Sequence, residues 1–190
     1  MMNFLEEAEF SAQLILKNEV ILYPTDTIWG IGANINDKSS VERVASIKQR
    51  PPNKSFIVLV NSLEMLKRYV IRLHPRIETL LYFHKQPLSI IYPHVKDIPD
   101  YLLADDKSLA IRVCHHPFCK ELIRILDQPL ISTSANFSGE PSPGDFSEIN
   151  PLLLHKVDYV VEFGRIQKEK SQPSVIAKYD EEGELIFIRE

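Results

Sequence analysis

The chain has 190 residues, 44% of them apolar and 25% charged, the proportions of a folded globular domain, which exclude a disordered chain. No apolar run exceeds five residues, and the opening Met-Met-Asn-Phe-Leu-Glu-Glu has no basic segment, so a membrane span and a secretory leader are both excluded from expectation; a single domain over 1–190 and a cytoplasmic location are expected. With 22 Lys and Arg against 26 Asp and Glu, the net charge of −4 argues against nucleic acid held by a global positive field, so an anion site must be a local group of cations.

In chain order, Asn18 to Pro24 reads as a short buried strand that stops at proline. It runs into Tyr23-Pro-Thr-Asp-Thr27-Ile-Trp-Gly30-Ile-Gly32, a hydroxyl-rich turn with two glycines. Gly30-x-Gly32 lacks the lysine of a Walker loop and the third glycine of a dinucleotide fingerprint, so close packing or a tight bend is the plainer role. From Ser39 or Ser40, Val41, Val44, Ala45 and Lys48 fall at helical spacing, and Pro51-Pro52 stops that helix near Arg50. Phe56 to Val60 reads as a strand buried on both faces. Helical spacing returns over Ser62 to Val70 and after Pro75. Leu88 to Tyr92 and Leu109 to Val113 read as strands, and Pro117 opens a helix through Asp127. Pro129 to Ser134 is a further strand, Glu148 to His155 a helix and Asp158 to Phe163 a strand. Val175 to Tyr179 and Leu185 to Ile188 flank Asp180-Glu-Glu-Gly183 as a hairpin. Interleaved strands and helices with an antiparallel ending predict an α/β fold with a mixed parallel and antiparallel sheet and flanking helices.

Four clusters carry chemistry. Lys48-Gln-Arg50-Pro-Pro-Asn-Lys54 puts three cations within seven residues, either a solvated helix end or a stiff anion clamp. Ser132, Ser134 and Asn136 alternate at the end of an apolar strand, so in extended chain they share one face; a hydrated turn reads equally well. Arg112 alternates to the face opposite Leu109, Ile111 and Val113, either as a ligand-binding cation or as a solvent-facing cation on an edge strand. Cys114-His-His-Pro-Phe-Cys119 tempts a zinc reading, but four ligands from one short run across Pro117 would be strained. No metal site and no disulfide are expected there; His116-Pro117 marks a helix entry and Cys119 a buried small hydrophobe.

Taken together and in this order, Pro24-Thr-Asp-Thr27-Ile-Trp-Gly30-Ile-Gly32, Lys48-Gln-Arg50-Pro51, Ala110-Ile-Arg112-Val113 and Ser134-Ala-Asn136 with Ser138-Gly139 give the chain a resemblance. It resembles the YrdC-like threonylcarbamoyl-AMP synthase family over nearly its whole length. The resemblance implies a concave, positively charged cleft and a reaction in which L-threonine, bicarbonate and ATP give threonylcarbamoyl-AMP and pyrophosphate. That product feeds the threonylcarbamoyladenosine modification of tRNA, so downstream tRNA-modification proteins are implied partners. By the same resemblance Lys48, Arg50, Ser134 and Asn136 form the catalytic tetrad. Lys48, Arg50, Lys54, Ser108, Ser132, Ser134, Asn136 and Arg189 would surround ATP, and Thr27 and Arg112 would hold threonine. Mg²⁺ would arrive with the triphosphate on mostly water ligands, without a protein cage. A module of the same fold that binds tRNA or double-stranded RNA in the cleft without synthase activity is the rival reading.

Three departures from the family pattern stand out. Gln172-Pro173-Ser174 replaces a Ser/Thr-rich strand start, the sequence ends at Glu190 just after Arg189, and Leu59 stands where some members carry a histidine near threonine.

Overall fold

The computed structural model describes residues 3–50, 56–84, 86–167, 170–180 and 182–189. Its first element, α1 (Phe4–Leu16), has no counterpart among the sequence expectations. Asn3 caps it by accepting from Leu5 N and Glu6 N at 3.0 Å, while Glu6 reaches back to Asn3 N, a complete capping box. The helix buries Ala8, Ser11, Ala12 and Ile15 against α5 (Pro117–Leu126), which buries Phe118, Cys119, Leu122, Ile123 and Leu126 along one stripe. Pro117 at the first position starts α5 as expected.

The strands are β1 (Ile21–Tyr23), β2 (Gly30–Gly32), β3 (Ile57–Val60), β4 (Leu88–Tyr92), β5 (Leu109–Val113), β6 (Leu130–Ser134), β7 (Tyr159–Val160), β8 (Val175–Tyr179) and β9 (Leu185–Arg189). They form a mixed sheet in the order β7-β1-β2-β6-β3-β5-β4-β8-β9. The pairs β1/β7, β3/β5 and β4/β8 are parallel and the remaining neighbours antiparallel. The other helices are α2 (Lys38–Ile47), α3 (Leu63–Tyr69), α4 (Pro75–Phe83) and the single turn α6 (Pro151–Leu154).

Alternation divides the two faces of the central strands. Val58, Val60, Leu109, Ile111, Ile131 and Ile90 join one continuous apolar cluster with the helices. Ile57, Ala110, Arg112, Ile91, Ser132 and Ser134 line a cavity instead. Strand β5 lies inside the sheet between β3 and β4, so Arg112 is not a cation on an exposed edge.

Some expected boundaries move, each for a local reason. Helix α2 starts at Lys38, because Asp37 rather than a serine caps it by accepting from Ser40 N at 2.7 Å. It ends at Ile47. Gln49 N donates to Ser46 O and Arg50 N to Ala45 O, a Schellman closure with Gln49 left-handed at φ 52°. The helix expected over 148–155 shrinks to α6, capped by Asn150, after a 3-10 turn at Phe146–Glu148. The strand expected over 158–163 keeps two paired residues, because the N–H groups of Glu162 and Phe163 turn to the buried Glu7 carboxylate.

The close-packing role expected of Gly30 and Gly32 holds. A Cβ on Gly32 would sit 2.7 Å from Tyr23 Cε1 and 3.2 Å from the Ile131 carbonyl. Tyr23 is fully buried and cannot retreat, so Gly32→Ala is expected to destabilise by about 1–3 kcal/mol. A Cβ on Gly30 would meet the Ser132 hydroxyl at 2.9 Å, an atom that can rotate away. Gly30→Ala should therefore cost under about 1 kcal/mol of stability, and denaturant melts of the two variants check the contrast. Gln49 is exposed, and Gln49→Gly should stabilise by about 0.5–1 kcal/mol by removing the left-handed penalty, read as a rise in Tm by calorimetry.

Candidate active site

The turn after β1 is built by its own hydroxyls. Thr25 Oγ1 donates to Ile28 O at 2.8 Å and accepts from Thr27 N at 3.0 Å. With the Thr25 proton spent, the 2.9 Å contact between the two hydroxyls is a bond from Thr27 to Thr25. Thr27 Oγ1 in turn accepts from Arg112 Nη1 at 2.9 Å. Arg112 Nη2 lies 3.2 Å from Asp26 Oδ1 and 3.5 Å from Thr25 Oγ1, which closes a buried network between residues 25–27 and β5. Arg112 Nε is buried and has no acceptor among the described residues.

A cavity of about 300 Å³ opens on this face of the sheet. Thr27, Trp29, Gly30, Arg50, Arg112, Ser132, Thr133, Ser134, Ser174 and Arg189 contribute to its wall, together with isoleucines from β3, β4, β8 and β9. Arg50 stacks over the Phe56 ring at 4.8 Å and donates to Thr133 Oγ1 at 3.3 Å. Burial lowers the pKa of its guanidinium, and burial followed by the charge of Arg112 does the same to Arg189. Arg189 donates through Nε and Nη2 to Ser174 O at 3.2 and 2.7 Å, while Ser174 Oγ pairs with the buried Ser89 Oγ at 2.8 Å. A β-bulge opposite Ile176 and Ala177 turns both Ile188 and Arg189 towards the cavity, although they are consecutive in the strand.

The structure thus brings six of the expected site residues, Thr27, Arg50, Arg112, Ser132, Ser134 and Arg189, to one cavity. The others stand elsewhere. Lys48 is buried behind the wall, where Nζ donates to the carbonyls of Ser134 and Asn136, the latter at 2.7 Å. The left-handed Gln49 between them sends Lys48 inward and Arg50 to the cavity. Asn136 does not share the face of Ser132 and Ser134, because extended chain ends at Ser134. Its amide donates to Phe137 O and Glu140 O and shapes the loop, which Ser138 N ties to Lys48 O at 2.8 Å. Ser108 sits at the turn into β5, its N–H donating to Asp106 Oδ1, outside the cavity wall. Lys54 lies outside the described residues.

Sequence reasoning gave no role to Asp26, Ser89 or Ser174. Asp26 stood inside a quoted motif, but its partners are 86 to 89 positions away. Cys114 and Cys119 are both buried and reduced, and burial pushes the Cys119 thiol well up. Among the described residues no group of three His, Cys, Asp or Glu side chains is arranged to hold a metal, and no helix is long and apolar enough to cross a membrane.

This architecture has relatives. A family model described as telomere recombination, covering Sua5, YciO and YrdC proteins, matches residues 13–190. A threonylcarbamoyl-AMP synthase of Klebsiella pneumoniae is 36% identical over 152 residues, spanning 78% of this chain and 80% of its own. The crystal structure of E. coli YciO superposes with a TM-score of 0.85 at 25% identity, over 98% of this chain and 89% of that one. The crystal structure of P. abyssi Sua5 complexed with L-threonine gives a TM-score of 0.84 at 23% identity; it covers all of this chain, which spans 55% of that longer protein. The motifs around the cavity, the sheet order and the match over nearly all of the sequence agree: the chain belongs to the Sua5/YciO/YrdC family.

Proposed function

We propose that the protein is an L-threonylcarbamoyladenylate synthase, an enzyme that converts L-threonine, bicarbonate and ATP to threonylcarbamoyl-AMP and pyrophosphate. The observation that carries this reading is the convergence of Arg50, Arg112 and Arg189 on one cavity with a hydroxyl-rich strand end, Ser132 to Ser134. Family membership and a synthase relative at 36% identity support it.

The chemistry asks for positioning and charge stabilisation rather than a protein nucleophile. Threonine nitrogen bonds to the bicarbonate carbon with loss of water. An oxygen of the resulting carbamate then attacks the α-phosphorus, and the bond to the β-phosphate breaks to release pyrophosphate. Arg112 offers hydrogen bonds to the amino acid carboxylate, and Thr27 Oγ1 keeps acceptor capacity for its ammonium or hydroxyl. Arg50 and Arg189 face the phosphates, where a planar fork suits non-bridging oxygens. Ser132 and Ser134 supply donors beside them, and Lys48 with Asn136 keeps the loop after β6 in shape. Mg²⁺ would enter with the nucleotide and supply charge neutralisation at its phosphates. The product serves the tRNA-modification proteins of the cytoplasm.

Incubation with ATP, bicarbonate and threonine is expected to release pyrophosphate and form a threonylcarbamoyl adenylate, with each substrate required. Valine and 2-aminobutyrate should be used much less well than threonine, since a site built for the β-hydroxyl is left unpaired by an analogue lacking it. Equal use of either analogue would remove the threonine assignment, and absence of product with every amino acid would remove the synthase reading. Arg50→Ala should weaken ATP by about 1.5–3 kcal/mol, the range for hydrogen bonds to charged groups, with Arg50→Lys recovering part of the loss. The single tryptophan, Trp29, lies in the cavity wall, so its fluorescence reports binding directly.

A further inference from the structure

We propose that Asp26 is a positioning residue, whose carboxylate holds the Arg112 guanidinium in the orientation that receives the amino acid carboxylate. The amino acid half of this statement rests on the synthase reading; the clamp itself does not.

Arg112 stands on an internal strand with its side chain 5% exposed, where a guanidinium needs a compensating charge. Among the described residues, the carboxylate paired with it is Asp26, itself 10% exposed. Asp26 is more than a counter-charge, because the chain just beyond Arg112 anchors it. Its Oδ2 accepts from His115 N at 2.9 Å, and its Oδ1 lies 3.5 Å from the Cys114 thiol. A carboxylate held by backbone cannot follow a guanidinium that swings, so the ion pair sets a direction as well as a charge. Thr27 accepts from Nη1 and Thr25 lies 3.5 Å from the same Nη2 that meets Asp26, and both threonines belong to the turn that carries Asp26. The guanidinium is therefore gripped on both Nη groups, while its buried Nε–H has no acceptor among the described residues. Because Asp26 offsets its charge, Arg112 recognises a carboxylate through aimed hydrogen bonds rather than through net attraction. The arrangement makes a distinctive demand: removing the Asp26 charge leaves more positive charge at the cavity, which cannot weaken a phosphate ligand, yet it frees Arg112 to rotate, which must weaken the amino acid.

The test combines spectroscopy and kinetics. In ¹⁵N spectra of the arginine guanidinium groups, wild-type Arg112 is expected to show restricted rotation about Nε–Cζ, and Asp26→Asn should release it. Asp26→Asn should raise KM for threonine about tenfold or more and leave KM for ATP within about threefold. Asp26→Glu, which keeps the charge one methylene further out, should fall between the two on threonine and leave ATP alone. Free rotation of Arg112 in the wild type overturns the clamp, whatever the enzyme's substrate. Equal losses for threonine and ATP in the variants, or no loss for threonine, overturn the positioning role. If Asp26→Asn does not fold, the wild-type spectrum and the Asp26→Glu kinetics decide. A wild type that makes no pyrophosphate removes the synthase reading instead, and the spectra still judge the clamp.

Discussion

A guanidinium inside a β-sheet is the constraint around which the functional half of this molecule is organised. Burying such an ion costs several kcal/mol even after relaxation, and it persists with a close counter-ion and hydrogen-bonding partners. Arg112 meets those terms through Asp26, Thr25 and Thr27, all from a turn that is distant in sequence. The turn in turn needs β1 and β2 to pair closely enough to bring residues 25–27 over β5. Gly32 permits that approach, because a Cβ there would collide with the buried ring of Tyr23 on β1.

The cations around the cavity divide into two kinds. Lys48 spends its ammonium on the carbonyls of Ser134 and Asn136 and so works on the loop that follows β6. Arg50, Arg112 and Arg189 stand in the cavity wall, each steadied by a partner of different chemistry: an aromatic face, a carboxylate and a backbone carbonyl. Side chains already ordered in this way lose little entropy when a ligand arrives. Desolvation of Arg50 and Arg189 strengthens whatever electrostatic bond they later make, because the local dielectric is low.

Much of the fold was legible because its signals are local. Pro117 started a helix, Asp180 to Gly183 turned a hairpin, and apolar runs at 57–60, 88–92, 109–113 and 130–134 became strands. Helix α1 escaped because its buried face carries Glu7, Ala8, Ser11 and Ala12, small or polar residues with weak hydrophobic contrast, beside Ile15; the Asn3 and Glu6 capping box was its one clear sign. Strand β2 escaped because two of its three residues are glycines, which have no side chain to show alternation. The strand expected over 158–163 was cut short by Glu7, whose carboxylate competes for backbone N–H groups from more than 150 positions away.

The site divides along the same line. The family resemblance named ten site residues, Lys48, Lys54, Ser108 and Asn136 among them, and six of the ten line one cavity, since a family's motifs survive as short runs of neighbouring residues. Direction was another matter. That Lys48 points inward while Arg50 reaches the cavity depends on a left-handed Gln49, and that Ile188 and Arg189 share a face depends on a bulge against β8. That Arg112 is internal and paired with Asp26 depends on strand order. The sequence by itself determined which chemical groups are available and which of them lie close along the chain. The tertiary structure decided which way they point and what they lose to one another, because those outcomes rest on backbone conformation, strand register and contacts such as Asp26 with Arg112 between residues far apart in sequence.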